Sequence, residues 1–308
     1  MRESGMARID LVHPDNADGS WFVDTRCIRC DAARHWAPGL IDMDDEGLSF
    51  VARQPENPEE VSALWRAAMA CPTQSIGTTE ARRPPSPAFP YELTPGVYAL
   101  GHNARSSFGA HTYLVPRPSG NLMVDSPRFT RGLAELVDDL GGVRHVLLSH
   151  RDDVADADRW AERYGADVWI HEADADAAPY ATVVLEGDRI TDVAPGVVSV
   201  PTPGHTEGSV VFHIDDKWLL TGDTLHWNHR RGELDVFAGA MFHSWEVLAD
   251  SMDRLATLEV EWVFPGHGNW HQVGPALYAE QMTRLGPAMR EIGRAGWSDR
   301  AATAYDWF

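Results

Sequence analysis

The chain is poor in cysteine and in basic residues, and it has no long apolar run. Its 308 residues include three cysteines, an odd number that fits no closed disulfide framework, and nothing suggests an oxidising compartment. Only 26 lysines and arginines oppose 46 aspartates and glutamates, and a net charge of −20 repels the phosphates of DNA and RNA. No apolar run reaches the roughly 20 residues that span a bilayer, and Met1–Gly5 leads into no signal-peptide core. We therefore expect a cytoplasmic protein that binds neither nucleic acid nor a membrane.

The rest of the composition, 44% hydrophobic and 23% charged, is typical of a globular protein. A proline-rich stretch from Arg82 to Pro90 predicts a semi-rigid spacer between two compact parts. The predicted organisation is a loose tail over 1–15, a small domain over 16–81, the spacer over 82–90 and a large domain over 91–308.

Four short polar segments of the large domain each follow an apolar run. These runs, rich in valine, leucine and aromatic residues, predict buried strands. The ends of the strands therefore carry three histidines and at least one carboxylate, a ligand set for zinc, iron or manganese rather than calcium. The segments are Ser149–Asp153, Pro203–Thr206, Thr221–Asp223 and Pro265–Gly268.

In this order, the four segments resemble the metallo-β-lactamase superfamily over roughly residues 91–308. That superfamily also contains glyoxalase II-type thioester hydrolases and flavodiiron oxygen reductases. The resemblance implies an α/β fold, a four-layer αββα sandwich, with His150, Asp152 and His205 as ligands of one metal. It also implies that Asp223 bridges two metals and that His267 serves the second. Asp152 and Asp223 are accordingly the predicted catalytic residues.

The first motif departs from the family pattern His-x-His-x-Asp-His. In this register Asp152 replaces the second histidine, as a carboxylate does in flavodiiron proteins, while Val154 and Ala155 replace the last two ligands. The expectation is therefore one divalent metal in the large domain, or two metals of which the second has fewer protein ligands. Asp153 or Asp156 refills the second position only if the loop shifts by one residue or the helix starts early. Otherwise both carboxylates cap the helix that begins near them.

Two further residues near these motifs have predicted supporting roles. Asp125 ends an early apolar run and resembles the superfamily aspartate that lies behind the metal and orients a ligand. The alternative is an ordinary aspartate in a turn. His171 ends another apolar run and is expected to be structural rather than a ligand.

The N-terminal part carries a second pattern, Cys27-x-x-Cys30 followed by Cys71-Pro72. Over roughly residues 17–80 it resembles a small α+β bacterial-type ferredoxin, whose full set is Cys-x-x-Cys-x-x-Cys and Cys-Pro. Ala33 stands at the third cysteine position. Three alternatives stay open: a 3Fe–4S cluster, a labile 4Fe–4S cluster with a non-cysteine ligand, or a domain without a cluster. The nearest candidates for a non-cysteine ligand are His35 and Asp31.

Apolar periodicity predicts two groups of four strands and four helices in the large domain. The strands are near 97–101, 111–115, 122–124 and 146–148, and near 197–200, 209–214, 218–221 and 262–264. The helices are at 131–140, 154–164, 245–258 and 275–291.

Three functions from different classes fit these observations. The first is a metal-dependent hydrolase in which a metal-bound hydroxide attacks an ester, thioester or lactam. The second is a non-haem-iron oxidoreductase supplied with electrons by the iron–sulfur cluster, and the third is a non-catalytic binding protein derived from this fold. The expected partner is a small-molecule substrate, and an anionic one if the arginines near the motif loops face the site rather than solvent. These arginines are Arg128, Arg151, Arg230 and Arg231.

Overall fold

The computed structural model describes residues 7–80, 83–84 and 86–300. The predicted tail lies outside the described residues over 1–6, as does the predicted spacer at 82 and 85. The described chain forms two compact units. The first contains the residues up to Leu114 and Pro127–Gly142, and the second contains Val115–Ser126 and the residues from Val143 onward. The first unit extends past the predicted spacer, and the domain boundaries taken from the sequence stay a prediction.

The first unit contains seven short strands and three α-helices, after a 3₁₀ helix at Ile9–Leu11. The strands are β1 (Trp21–Val23), β2 (Ile41–Met43), β3 (Ser49–Val51), β4 (Ile76–Thr78), β5 (Tyr91–Thr94), β6 (Val97–Ala99) and β7 (Tyr113–Val115). The helices are α1 (Ala32–Trp36), α2 (Pro58–Ala70) and α3 (Arg131–Asp139).

Helix α2 organises the N-terminal half of this unit. Asn57 caps it by accepting a hydrogen bond from the Glu60 N–H, and Pro58 occupies the first turn, where its missing N–H costs nothing. Its buried face packs on α1 and on β4, which pairs antiparallel with β1, while β2 pairs with β3. The helix ends directly before Cys71, and so its packing determines the position of that thiol.

The second unit contains twelve strands, three α-helices and 3₁₀ helices at Arg151–Asp153 and Glu172–Ala177. The strands are β8 (Leu122–Val124), β9 (His145–Leu147), β10 (Asp167–His171), β11 (Val183–Leu185), β12 (Thr191–Ala194), β13 (Val197–Pro201), β14 (Val210–Ile214), β15 (Trp218–Gly222), β16 (His226–Asn228), β17 (Glu233–Asp235), β18 (Trp262–Pro265) and β19 (His271–Gln272). The helices are α4 (Ala157–Tyr164), α5 (Trp245–Leu255) and α6 (Pro275–Arg300).

Two sheets form the centre of the second unit. Strands β8 to β11 are parallel neighbours in the order β11-β10-β9-β8. The other sheet has the order β12-β13-β14-β15-β18-β19, in which β15 and β18 run parallel. Because β15 and β18 are parallel, their C-terminal ends meet at the same edge of the sheet, and any polar residues that follow them become neighbours.

Helices cover the outer faces of both sheets. Helix α4 packs on β9 and β10. Helices α5 and α6 pack on each other and bury residues such as Leu248, Met252 and Met282 against Val211 and Leu219 of the six-stranded sheet. Fully burying side chains of this size stabilises the fold by about 1.5–3 kcal/mol each. The predicted four-layer αββα arrangement is therefore confirmed.

Most predicted elements agree with the structure to within a few residues, and two helices differ. Helix α4 begins at Ala157 rather than near 154, because residues 151–153 form a 3₁₀ turn and Ala155 has a positive φ of 35°. Helix α6 continues to Arg300 through a kink at Gly293, two residues after its predicted end. No helix among the described residues has the length and apolar character needed to cross a membrane.

Candidate metal centre

The predicted ligand segments lie at strand ends within the second unit. His150 follows β9 closely, His205 lies in the loop after β13, Asp223 directly follows β15 and His267 follows β18 by two residues. The parallel pairing of β15 with β18 brings Asp223 next to His267, with 2.7 Å between Asp223 Oδ1 and His267 Nδ1. Local strand formation therefore delivers residues that are distant in sequence to one place.

One group of ligand atoms surrounds the carboxylate of Asp223. Asp223 Oδ2 lies 3.7 Å from His150 Nε2 and 3.7 Å from His205 Nε2. Asp152 Oδ2 approaches the same two nitrogens at 3.9 Å and 3.4 Å. One ligand atom from each of His150, His205 and Asp223 lies within 4.8 Å of the others. The structure thus brings together the ligands that the resemblance implies for the first metal.

A second group shares Asp223 and contains a residue outside the predicted set. Asp153, Asp223 and His267 each place one ligand atom within 4.8 Å of the others. Asp156, the other carboxylate considered for this position, belongs to neither group and instead occupies the N-cap position of α4. Val154 and Ala155 have no ligand atom, as the sequence indicates.

Hydrogen bonds on the far side of each imidazole orient the first group. His150 Nδ1 lies 2.9 Å from the Ser149 hydroxyl, which donates to Asp125 Oδ2 at 2.9 Å. The Ser149 N–H donates to the other Asp125 oxygen at 2.8 Å. Asp125 therefore lies behind the site, as predicted, but acts on His150 through a serine that sequence reasoning missed.

His205 is oriented in the same way, because its Nδ1 donates to the Ala240 carbonyl. Both histidines therefore present Nε2 to the centre of the group. These two Nε2 atoms are buried, and neither has a hydrogen-bond partner among the residues that the structure describes. Buried nitrogens of this kind normally have a partner, and a divalent metal provides one. Because these two buried nitrogens have no other partner among the described residues, the residues around them fit a divalent metal.

The protonation tendencies of three of the four groups suit a metal, whereas Asp152 and Asp223 raise the pKa of His205 against the opposing effect of burial. Burial lowers the pKa of His150 to about 4, so the ring is neutral at neutral pH. Burial opposes ionisation of Asp223, but the neighbouring His267, which hydrogen-bonds to it, outweighs burial and holds the pKa of Asp223 far below its usual range. The neighbouring His205 ring, whose Nε2 lies 3.4 Å from Asp152 Oδ2, lowers the pKa of Asp152. Neutral imidazoles and ionised carboxylates are the forms that bind metals.

Asp174 is a second residue that sequence reasoning missed. This buried carboxylate accepts hydrogen bonds from the Arg151 N–H at 3.0 Å and from the Thr206 hydroxyl at 2.6 Å. It therefore ties the loop that carries His150 to the loop that carries His205. Asp174 lies in the 3₁₀ helix after β10, and no sequence motif in that segment indicates a functional residue.

His226, on β16, was also missed. Its ring is buried against the Phe237 ring, with 3.9 Å between centroids, and neither ring nitrogen has a hydrogen-bond partner among the described residues. Burial lowers its pKa to about 4. His171, by contrast, is structural as expected, because its Nε2 bonds the Gly187 carbonyl and its Nδ1 accepts from the Ala173 N–H.

The three cysteines form a separate site in the first unit. Cys27, Cys30 and Cys71 line one cavity together with Ala33 and Asp31. Backbone N–H groups of Arg29 and Ser49 lie 3.4 Å and 3.5 Å from Cys27 Sγ, and that of Ser75 lies 3.3 Å from Cys71 Sγ. Hydrogen bonds to sulfur are a feature of iron–sulfur sites.

The two predicted replacements for a fourth cysteine differ in position. Asp31 lines the cavity, although Arg34 binds its carboxylate, and burial raises its pKa to about 6. His35 is absent from the cavity lining and pairs its Nδ1 with His111 Nε2 at 2.8 Å. Asp31 is the better placed of the two.

Comparison with known sequences identifies the class of fold and then the family. The model described as "Metallo-beta-lactamase superfamily" matches residues 107–267, more than half of the chain. The chain belongs to the metallo-β-lactamase superfamily. A second model, "4Fe-4S single cluster domain of Ferredoxin I", matches residues 23–78 and confirms the ferredoxin-like character of the N-terminal part.

Relatives and solved structures cover parts of the chain. A hydroxyacylglutathione hydrolase of Acidiphilium cryptum is 31% identical over 155 residues, which are 49% of this chain and 60% of that protein. An uncharacterized protein of Mycobacterium tuberculosis is 30% identical over 162 residues, 42% of this chain and 70% of the relative. A metallo-β-lactamase family protein of Thermus thermophilus is 20% identical, and the match covers 65% of this chain and 81% of that one with a TM-score of 0.47. The match to the hydrolase thus spans less than two thirds of its length.

Proposed function

We propose that this protein is a metal-dependent hydrolase that cleaves an ester, thioester or lactam bond. The observation that carries the proposal is the convergence of two oriented imidazoles, His150 and His205, on the carboxylates of Asp152 and Asp223. Among these bond types a thioester is favoured, since relatives named hydroxyacylglutathione hydrolase match parts of this chain at 31% and 35% identity. The proposed substrate is therefore a small acyl thioester.

His150, Asp152, His205 and Asp223 would hold the metal. A bound divalent metal supplies a nucleophilic water at neutral pH and polarises the carbonyl under attack. Two of these four ligands are carboxylates, which suits iron(II) or manganese(II) better than an all-histidine site does, and zinc stays a candidate. Asp152 is the most exposed of the four, with 47% of its side chain accessible, so the open side of the centre lies next to it.

Phe242 supplies an apolar surface at this side. Its side chain is 71% exposed, and its ring centroid lies 5.1 Å from that of His205. An exposed aromatic ring beside a ligand is suited to hold the acyl part of a substrate. The prediction that arginines face the site and attract an anionic substrate has less support, because Asp176 binds Arg151 and Asp235 binds Arg231.

The proposal is tested by hydrolysis assays on the full chain. Protein stripped with a chelator is compared with protein reloaded with Zn²⁺, Mn²⁺ or Fe²⁺, on a hydroxyacylglutathione thioester, a simple ester and a β-lactam. We expect thioester cleavage that depends on metal and is lost in Asp152→Asn, while Asp156→Asn, a matched change outside both ligand groups, keeps it. Metal-loaded protein that hydrolyses none of the three substrates would contradict the proposal and favour a non-catalytic binding protein.

A non-haem-iron oxidoreductase is the second candidate. It is favoured by the cavity that Cys27, Cys30 and Cys71 line and by the match to a 4Fe–4S domain. Anaerobically purified protein should then contain iron and acid-labile sulfide and absorb broadly in the visible range, and a chemical reductant should bleach that absorption. Colourless, iron-free protein would leave the hydrolase as the enzymatic function.

A further inference from the structure

The Asp153 side chain is buried next to Asp223 without a visible reason. It is 1% exposed, and neither carboxylate oxygen has a hydrogen-bond partner among the described residues. Burial of an unpaired carboxylate is costly, and buried charges in proteins are paired or bind metals. One of its oxygens lies within 4.8 Å of ligand atoms of Asp223 and His267. We propose that Asp153 is a ligand of a second divalent metal, which it binds together with Asp223 and His267.

The backbone explains why Asp153 reaches this position although the family register puts Val154 there. His150 is fully extended, Arg151–Asp153 then forms a 3₁₀ turn, and Ala155 takes a positive φ of 35°. This tight turn directs the third residue after His150 inward, whereas Val154 is only partly buried. The ligand lost at Val154 is thus replaced by the residue before it.

Gly266 makes room for the two carboxylates. A Cβ atom at this position would lie 2.9 Å from Asp153 Oδ2, closer than Cβ atoms come in proteins, and 3.0 Å from Asp223 Oδ1, which is tighter than most Cβ contacts. The Gly266 N–H donates to the Gly222 carbonyl at 2.8 Å, which holds this backbone against the strand end before Asp223. The absence of a side chain at Gly266 therefore allows both carboxylates to approach this backbone.

Two acids placed this close together call for a cation. Asp153 and Asp223 have carboxylate oxygens within 4.8 Å of each other, and Asp153 is 1% exposed while the Asp223 side chain is 8% exposed. Of the described residues, no lysine or arginine hydrogen-bonds to either Asp153 oxygen. A divalent ion between Asp153 and Asp223 would offset this repulsion. The inference rests on the proposed metal centre and extends it from one metal to two that share Asp223.

Manganese is the probe that tests the proposal, because thiolates bind Mn²⁺ weakly and the cysteine site should not add to the count. Metal-free full-length protein is titrated with Mn²⁺ and the bound metal is counted after desalting. We expect about two Mn²⁺ per chain, as in other two-metal sites, and a spin-coupled pair in the electron paramagnetic resonance spectrum. Asp153→Asn should bind about half as much and show the spectrum of an isolated ion, while the control Asp156→Asn should match the wild type.

Stability separates a ligand from a structural residue. If Asp153 only supported the fold, Asp153→Asn would melt at a lower temperature with or without metal. A role as a ligand predicts no such loss for metal-free protein, since the nearly isosteric amide replaces a carboxyl that makes no hydrogen bond among the described residues. Mn²⁺ should then raise the melting temperature of the variant by less than it raises that of the wild type.

Two outcomes would overturn the inference: wild-type protein that binds a single Mn²⁺, or an Asp153→Asn variant that binds as much Mn²⁺ as the wild type. Neither result bears on hydrolysis, which one metal can support. Conversely, protein that binds two Mn²⁺ but cleaves no substrate leaves this inference intact and contradicts the proposed hydrolase.

Discussion

Replacing Ser149 by alanine removes one oxygen atom that connects Asp125 to His150. In the wild type, the Ser149 hydroxyl lies 2.9 Å from His150 Nδ1 and 2.9 Å from Asp125 Oδ2. The variant leaves the His150 Nδ1–H and one Asp125 oxygen without these partners, although both side chains are at most 2% exposed. His150 is then free to rotate or to change tautomer, and its Nε2 no longer points reliably at the proposed metal position.

The expected loss follows from the number of contacts removed. Deleting the partner that orients a metal-bound histidine typically weakens metal binding about 10- to 100-fold, or roughly 1.4–2.8 kcal/mol. The Ser149 N–H still donates to Asp125 at 2.8 Å, which favours the lower half of that range. Leaving a buried polar group unpaired costs about 1–3 kcal/mol of folding stability in addition.

The two effects are measured separately. Calorimetric titration of metal-free protein with Mn²⁺ gives the affinity, and urea unfolding in the presence of a chelator gives the stability. Ser199→Ala is the matched control, because Ser199 is equally buried and its hydroxyl makes one long contact of 3.5 Å to the Thr191 carbonyl. We expect Ser199→Ala to leave the affinity unchanged. Equal Mn²⁺ affinities for Ser149→Ala and the wild type would refute the proposed orienting role.

Three further predictions concern other parts of the chain. Burial lowers the pKa of His226 from 6.5 to about 4, so the neutral ring contributes stability above pH 6.5 that is lost as the pH falls towards 4. The His226→Phe variant has no such loss, and across that pH range it should become more stable than the wild type by about 3 kcal/mol at most. Urea unfolding of both proteins in the presence of a chelator, at a series of pH values, measures this difference. Ala33→Cys should raise iron and sulfide content and absorption at roughly 400 nm in anaerobic protein, because it restores the fourth thiolate, and an unchanged spectrum would indicate a domain without a cluster. Phe242→Ala should raise KM for an acyl thioester several-fold, about 1 kcal/mol of lost contact, while metal content stays the same; an unchanged KM would exclude this contact.

The sequence was sufficient for the features that depend on local pattern. Apolar runs predicted the strands, and the polar residues after them had to meet because parallel strands share an edge, as Asp223 and His267 do. The proximity of the three cysteines was likewise predicted, from the resemblance of their spacing to that of a ferredoxin, and the structure places them around one cavity.

The features that were missed depend on backbone conformation and on contacts between distant segments. Whether Asp153 or Val154 points inward is decided by a single 3₁₀ turn, and periodicity cannot specify a shift of one residue. Asp174 meets Thr206 only after two separate loops have packed together. Ser149 was visible in the sequence, but its hydroxyl gained a role only when Asp125 came within reach across 24 positions.

The ligands of the candidate metal centre come from strand ends spread between His150 and His267, and they meet only when two sheets are complete. Contacts of such long sequence separation form late in folding, after the entropy of closing the intervening loops has been lost. A bound metal therefore stabilises the native state with little effect on the transition state, and it should slow unfolding while leaving the folding rate nearly unchanged. In a cell, metal supply would then determine how long each folded molecule survives rather than how quickly it forms.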